Sequence, residues 1–214
     1  MEILLNCNRI EVIFLSILLE PGDIFLTRGC SILSRAIRFF TRSIGEKRTE
    51  VNHVGLVVQG GDIKTAIVVE ALYKVMRHAL WSQYCLPKKD YVAIYRTTNL
   101  TAEQVKDIVA EAEKHVGKKY GTCMIVAHFL DWLSGRMLGW LLGWQFSDIY
   151  LFRRLIPGNK YPICSWVVAD AFAKAGKDFG VEVGMATPDD IWDFVVKNTD
   201  KYKEIHPLKP LSQG

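Results

Sequence analysis

An α+β fold is predicted for this chain by three observations: a strand-rich middle, helix-rich flanks, and a hairpin signal at Gly60-Gly61-Asp62 between two apolar runs. At 214 residues, against roughly 150 per domain, the length fits one domain with an insertion. With 50% hydrophobic and 23% charged residues, the composition is that of a folded protein and excludes disordered, collagen-like and coiled-coil classes. The 27 Lys+Arg against 23 Asp+Glu leave a net charge of +4, which argues against a nucleic-acid partner, so an anionic partner would have to be met by a local patch.

The elements follow in chain order. Residues 10–19 form an apolar run, but Glu2 and Glu11 replace the basic start of a signal peptide, and no cleavage site precedes Pro21-Gly22-Asp23. The run is also shorter than the ~20 residues of a membrane span. It reads as an N-terminal apolar extension, 1–20, of a cytoplasmic chain, with a shallow membrane contact as the alternative. A strand over 24–27 is broken by Gly29 ahead of a helix over 31–43. Leu33, Ala36, Ile37 and Phe40 share one face of that helix, and Arg35, Arg38 and Arg42 share the other, as a solvated face or a dock for anionic groups.

The runs 53–59 and 65–72 are the two hairpin strands, and 91–97 is a third strand. Thr101 and Gln104 form a capping box, and Val105, Ile108, Val109, Ala112 and Val116 continue at helical spacing, which predicts a helix over 102–116. A second helix is expected over 120–133. The segment 137–152 is apolar and aromatic, flanked by Arg136 and Arg153-Arg154, and is too short to span a membrane. A buried helix over 164–175 stops at Gly176, and Thr187 caps a last helix with Pro188 first and Ile191, Phe194 and Val195 facing inward.

Three polar residues stand where this pattern predicts core. His53 opens an apolar strand, Glu70 closes another, and Cys164 heads an apolar helix. A buried carboxylate requires a cationic or N–H partner. A thiol at a helix N-terminus is shifted toward the thiolate, the form that attacks carbonyls. Each residue also has an ordinary structural explanation; together they supply a nucleophile, a base and an orienting carboxylate. Cys30, also ahead of a helix, is the competing nucleophile. Five cysteines without a C-x-x-C pair argue against a disulfide framework and a closed zinc site. Cys123 and His128 lie five apart, off a common helix face; Cys7 and Cys85 show no partner pattern in the sequence; His78, His115 and His206 read as surface or structural.

The order Pro21-Gly22-Asp23-Ile24, Asn52-His53-Val54-Gly55, Val69-Glu70-Ala71, Lys119-Tyr120, Cys164-Ser165, Thr187-Pro188 resembles the YiiX-like permuted papain-like amidases, relatives of the NlpC-type cell-wall hydrolases. Lecithin retinol acyltransferase-like enzymes share this order. The resemblance covers about residues 20–195. It implies a circularly permuted papain-like (NlpC-like) fold, an antiparallel sheet or half-barrel packed against helices, in one domain over 21–214 with an insertion at about 134–157. It also implies Cys164 as nucleophile, His53 as base, Glu70 as third polar residue and Tyr120 as a pocket residue, in a cysteine amidase or peptidase that requires neither cofactor nor metal. Gly121 and Trp166 depart from the family pattern, the second implying a more crowded or more apolar site. The substrate expected is a peptide, isopeptide or other small-molecule amide. If 137–152 lines an acyl pocket, the same residues make a lipid acyltransferase or thioesterase. A non-enzymatic module on an anionic membrane is the remaining alternative.

Overall fold

Successive strand residues point to opposite faces, and here both sets are apolar, so the sheet is covered on both sides. The computed structural model describes residues 17–31, 34–35, 38–39, 49–84, 90–121, 126–127, 129–131, 133–135 and 162–211. The start of the N-terminal run, Arg42, Cys7, Cys85, Cys123, His128 and the aromatic segment 137–152 lie outside the described residues.

The described strands are β1 (Leu18–Leu19), β2 (Ile24–Arg28), β3 (His53–Gln59), β4 (Gly61–Asp62), β5 (Ile67–Ala71), β6 (Val75–Ala79), β7 (Tyr91–Thr97) and β8 (Tyr202–Lys209). Among the described residues, the helices are α1 (Leu80–Tyr84), α2 (Ala102–Lys114), α3 (Cys164–Lys174) and α4 (Pro188–Lys197), with a 3-10 turn at Val183–Met185 and further helical backbone at 34–35, 38–39, 126–127, 129–131 and 133–135. Six strands form an antiparallel sheet in the order β6-β5-β3-β2-β7-β8, which is not closed into a barrel; β1 and β4 pair separately.

Ile24, Leu26, Val54, Leu56 and Val69 meet Val167, Val168 and Phe172 of α3, Ile108 of α2 and Ile191 of α4 on one face. Their sequence neighbours Phe25, Val57 and Val68 face the other way, under Leu80, Tyr84, Leu19 and Leu211. The predicted caps are present: Thr101 with Gln104 on α2, and Thr187 with Asp190 on α4. Gly176 follows α3 at φ 70°, the left-handed conformation that ends a helix.

The Pro21-Gly22-Asp23 turn has a buried purpose. Gly22 takes φ 94°, and Asp23 N donates to Glu20 O at 3.0 Å. Asp23, only 1% exposed, accepts from Arg96 Nε and Nη2 at 2.8 Å each, and Arg96 reaches on to Glu20 and the Leu18 carbonyl.

Two expectations are corrected. Arg38 is buried rather than part of a solvated arginine face; its carbonyl accepts from the buried Thr49 N at 3.3 Å, so the chain leading into β3 covers it. Tyr120 does not start a helix. Gly117 N and Tyr120 N donate to the carbonyls of Val75 and Tyr73, Lys118 O accepts from Val75 N, and Lys74 and Lys119 form a bridge, so backbone pairing with the start of β6 holds 118–120 out of a helix. Described helical backbone resumes only at 126. Among the described residues, no helix is long and apolar enough to cross a membrane.

Candidate active site

Glu70 is the residue that packing alone explains least. Period-2 alternation on β5 puts it beside Val68, 1% exposed, where an ionised carboxylate is costly by several kcal/mol unless donors replace its water. Three donors do so. His53 Nε2 lies 2.5 Å from Oε2, the Tyr84 hydroxyl donates to the same oxygen at 2.6 Å, and His78 Nε2 lies 2.7 Å from Oε1. Burial pushes Glu70 up, but the His53 and His78 hydrogen bonds, the His53 charge and the Tyr84 hydroxyl outweigh it and hold its pKa at about 2.

Local structure places His53 at the end of the sheet. It opens β3 opposite Thr27. The preceding Asn52 is fixed by its N–H on Thr27 O at 2.9 Å and by its Oδ1, which accepts from Gly29 N at 2.7 Å. Two residues on, Gly55 stands across from Glu70; a Cβ there would meet Glu70 Cβ at 2.9 Å and the Phe25 ring closer still. The missing side chain lets the strands and the Phe25 ring close under the carboxylate.

Cys164 is the first residue of α3, whose cap residue Ile163 offers no side chain to the first-turn amides. Those amides remain available to the sulfur. Sγ accepts from the backbone N–H groups of Ser165 and Val54 and is hydrogen-bonded to His53 and to the Tyr120 hydroxyl. With Nε2 of His53 on Glu70, Nδ1 is the nitrogen left for the thiol. Burial pushes the Cys164 thiol up, but the His53 charge and hydrogen bond and the two amides bring it below its ordinary value. Burial likewise opposes charge on His53, yet the Cys164 thiolate and Glu70 outweigh it and raise its pKa to about 10. Burial and the adjacent thiolate keep Tyr120 protonated, a donor. The arrangement can hold a thiolate–imidazolium pair at neutral pH, with a buried carboxylate fixing the ring.

Residues 18–128 match the permuted papain-like amidase enzymes, YaeF/YiiX, C92 family, over 111 of 214 residues. The chain belongs to this family. The match includes His53, Glu70 and Tyr120 and ends before Cys164. The crystal structure of metalloprotein yiiX from Escherichia coli O157:H7 (DUF1105) superposes with a TM-score of 0.50, covering 90% of this chain and 90% of that one at 20% identity, a likeness of fold. No curated protein matches the chain.

In this member of the YaeF/YiiX family, the four residues singled out from sequence, Cys164, His53, Glu70 and Tyr120, lie together. Cys30 is exposed. His78 and Tyr84, both on Glu70, escaped the sequence reading; His78 is two residues beyond Met76, the strand partner of Glu70, a relation visible only once the β5–β6 pairing is known. Of the two readings open for His115 and His206, the structural one holds: both are buried, and His206 Nδ1 lies 2.9 Å from Val92 O. The Trp166 ring meets His115 edge-on, with ring centroids 4.9 Å apart.

Glu111, His115 and Asp170 bring ligand atoms within 4.8 Å of one another and are the metal-binding candidate among the described residues. Their second partners oppose that role. Lys114 Nζ holds Glu111 at 2.7 Å, and Lys118 Nζ lies 2.8 Å from His115 Nδ1 while His115 Nε2 lies 2.9 Å from Asp170. An imidazole that ligates through Nε2 gives its Nδ1 proton to an acceptor, and an ammonium is not one. The set fits a lysine–histidine–carboxylate hydrogen-bond chain between α2 and α3, not a divalent cation.

Proposed function

We propose that this chain is a cysteine-dependent hydrolase that cleaves an amide bond, peptide or isopeptide, through a thioacyl-enzyme. The single observation that carries the reading is the continuous hydrogen-bonded line Cys164–His53–Glu70, in which both nitrogens of one imidazole are committed. Family membership supports it, as does the order of the parts, the histidine strand β3 preceding the cysteine helix α3 as in a permuted papain-like fold.

The Cys164 thiolate adds to the carbonyl carbon, forming a C–S bond and moving the π electrons onto oxygen. The Cys164 backbone N–H and the Tyr120 hydroxyl are the donors available to that oxyanion, the second turning from sulfur as its charge moves away. His53 gives its proton to the leaving nitrogen as the C–N bond breaks, which leaves a thioester and a neutral imidazole. His53 then takes a proton from water, whose oxygen attacks the thioester; the C–S bond breaks and the thiolate–imidazolium pair returns. Glu70 keeps the ring aligned throughout.

Iodoacetamide alkylation, read site by site against pH, tests this. Cys164 should outpace Cys30 and react well below the free-thiol pKa of about 8.5, and His53→Ala should slow it by up to roughly 100-fold at pH 6.5. A Cys164 that is inert, or indifferent to His53, would overturn the reading. With Cys164 reactive, a panel of peptide and isopeptide amides and long-chain esters assigns the bond; turnover of esters alone would favour the acyltransferase or thioesterase chemistry.

A further inference from the structure

Glu70 does not serve His53 alone. Its Oε1 lies 2.7 Å from His78 Nε2, and the other nitrogen of that ring lies 3.1 Å from the Ala79 carbonyl oxygen. A carbonyl oxygen only accepts, so Nδ1 carries a proton. The contact from Nε2 to Oε1 then holds one more proton, on nitrogen or on oxygen. Oε2 already accepts from Tyr84 and faces His53 Nε2, which suits an ionised carboxylate, and imidazole is the stronger base of the two. We infer that His78 is an imidazolium that neutralises Glu70 from behind, making a His53–Glu70–His78 relay in which His78 is a positioning residue that sets how tightly His53 holds its proton.

The consequence rests on the proposed hydrolase reading. A bare buried carboxylate would stabilise the His53 imidazolium strongly, good for keeping the thiolate but poor for giving a proton to a leaving nitrogen. Pairing Glu70 with a second cation divides its attraction. Among the described residues, the groups facing His78 are Glu70 on β5, Tyr84 on α1, and, beyond the carboxylate, His53 on β3 with Cys164 on α3. Its strand neighbour Arg77 turns instead to Glu113 and Gln59, at 3.1 Å each. The His78 side chain is 16% exposed and that of His53 11%, while Glu70 between them is sealed, so His78 is the more exposed end of the relay.

The test is imidazole ¹⁵N NMR in a Cys164→Ala background, where no thiolate contributes and the result does not depend on the nucleophile. His78 should show both nitrogens protonated at pH 7, and a neutral His78 there would overturn the inference even if no variant folded. His78→Gln keeps an N–H for Oε1 but no charge, and should raise the His53 midpoint by about one pH unit or more; His78→Lys should bring it back toward the starting value. A merely structural His78 would lower the melting temperature in both variants and leave the His53 midpoint unmoved, which would also overturn it. Alkylation of Cys164 in the otherwise wild-type chain separates this from the hydrolase reading: an inert thiol defeats that reading while the NMR shift still stands or falls by itself.

Discussion

Gly55 and Tyr84 act on the same carboxylate, one by lacking a side chain and one by donating a proton. In Gly55→Ala the new methyl must displace the Phe25 ring or part β3 from Glu70. Overpacking of this kind typically costs about 1–3 kcal/mol, and the melting temperature should fall together with the low-pH alkylation rate of Cys164. Gly184→Ala, where an added Cβ meets nothing within 4 Å, is the matched control and should change neither. Tyr84→Phe keeps the ring edge-on to Phe25 but takes one of three donors from Glu70. A hydrogen bond to a buried charge is worth about 1.5–3 kcal/mol, and its loss should move acid unfolding to higher pH. These roles differ in how far sequence reveals them. His53, Glu70 and Cys164 were legible because each is a polar residue interrupting an apolar pattern. Tyr84 and His78 interrupt nothing, since Tyr84 ends a five-residue helix and His78 lies on a strand that mixes buried, intermediate and exposed positions without alternation.

The same contrast governs whole elements. Strands β3 and β7 and helices α2, α3 and α4 were readable from sequence because burial on both sheet faces, or along one helix stripe, leaves a periodic trace, and because Thr101 and Thr187 mark their helix starts. The two sheet edges were not. β6 is Val-Met-Arg-His-Ala, and β8 carries Lys203, Glu204, Pro207 and Lys209 among its eight residues. Edge strands face solvent along one side and are charged or broken by proline, so they carry no alternation to detect. The tie across β2 and β7 was likewise hidden: Asp23 was seen as part of a turn, but its partner Arg96 is 73 residues away. Arg96→Met leaves the Asp23 carboxylate buried beside β2 without its cation. Breaking a buried pair from one side costs about 3–5 kcal/mol, and a urea melt should show a loss of that size. Asp23→Asn, which removes the stranded charge but keeps an acceptor, should lose less.

Across the whole molecule, the buried ionisable groups set the pH range of stability. Glu70 has its pKa lowered from 4.5 to about 2, so its contribution is present above 4.5 and is lost as pH falls through about 2. His53 has its pKa raised from 6.5 to about 10, so its contribution is complete below 6.5 and is lost as pH rises through about 10. Cys164, lowered from 9.0, runs the other way: its contribution is complete above 9.0 and declines as pH falls. Between 6.5 and 9.0 the unfolded pair carries one proton, on sulfur, and the proposed thiolate–imidazolium pair also carries one, on the imidazole. Equal proton counts make the pair's net contribution independent of pH there, so stability should be flat over that window and decline toward alkali only above it. Cys164→Ala removes the compensating term. His53 keeps a raised pKa through Glu70 alone, and the variant's stability should already decline with pH from 6.5 upward. Denaturant melts of both proteins at intervals from pH 6 to 10 decide it. Parallel curves for wild type and Cys164→Ala would mean that the thiol and imidazole do not share a proton in the folded state.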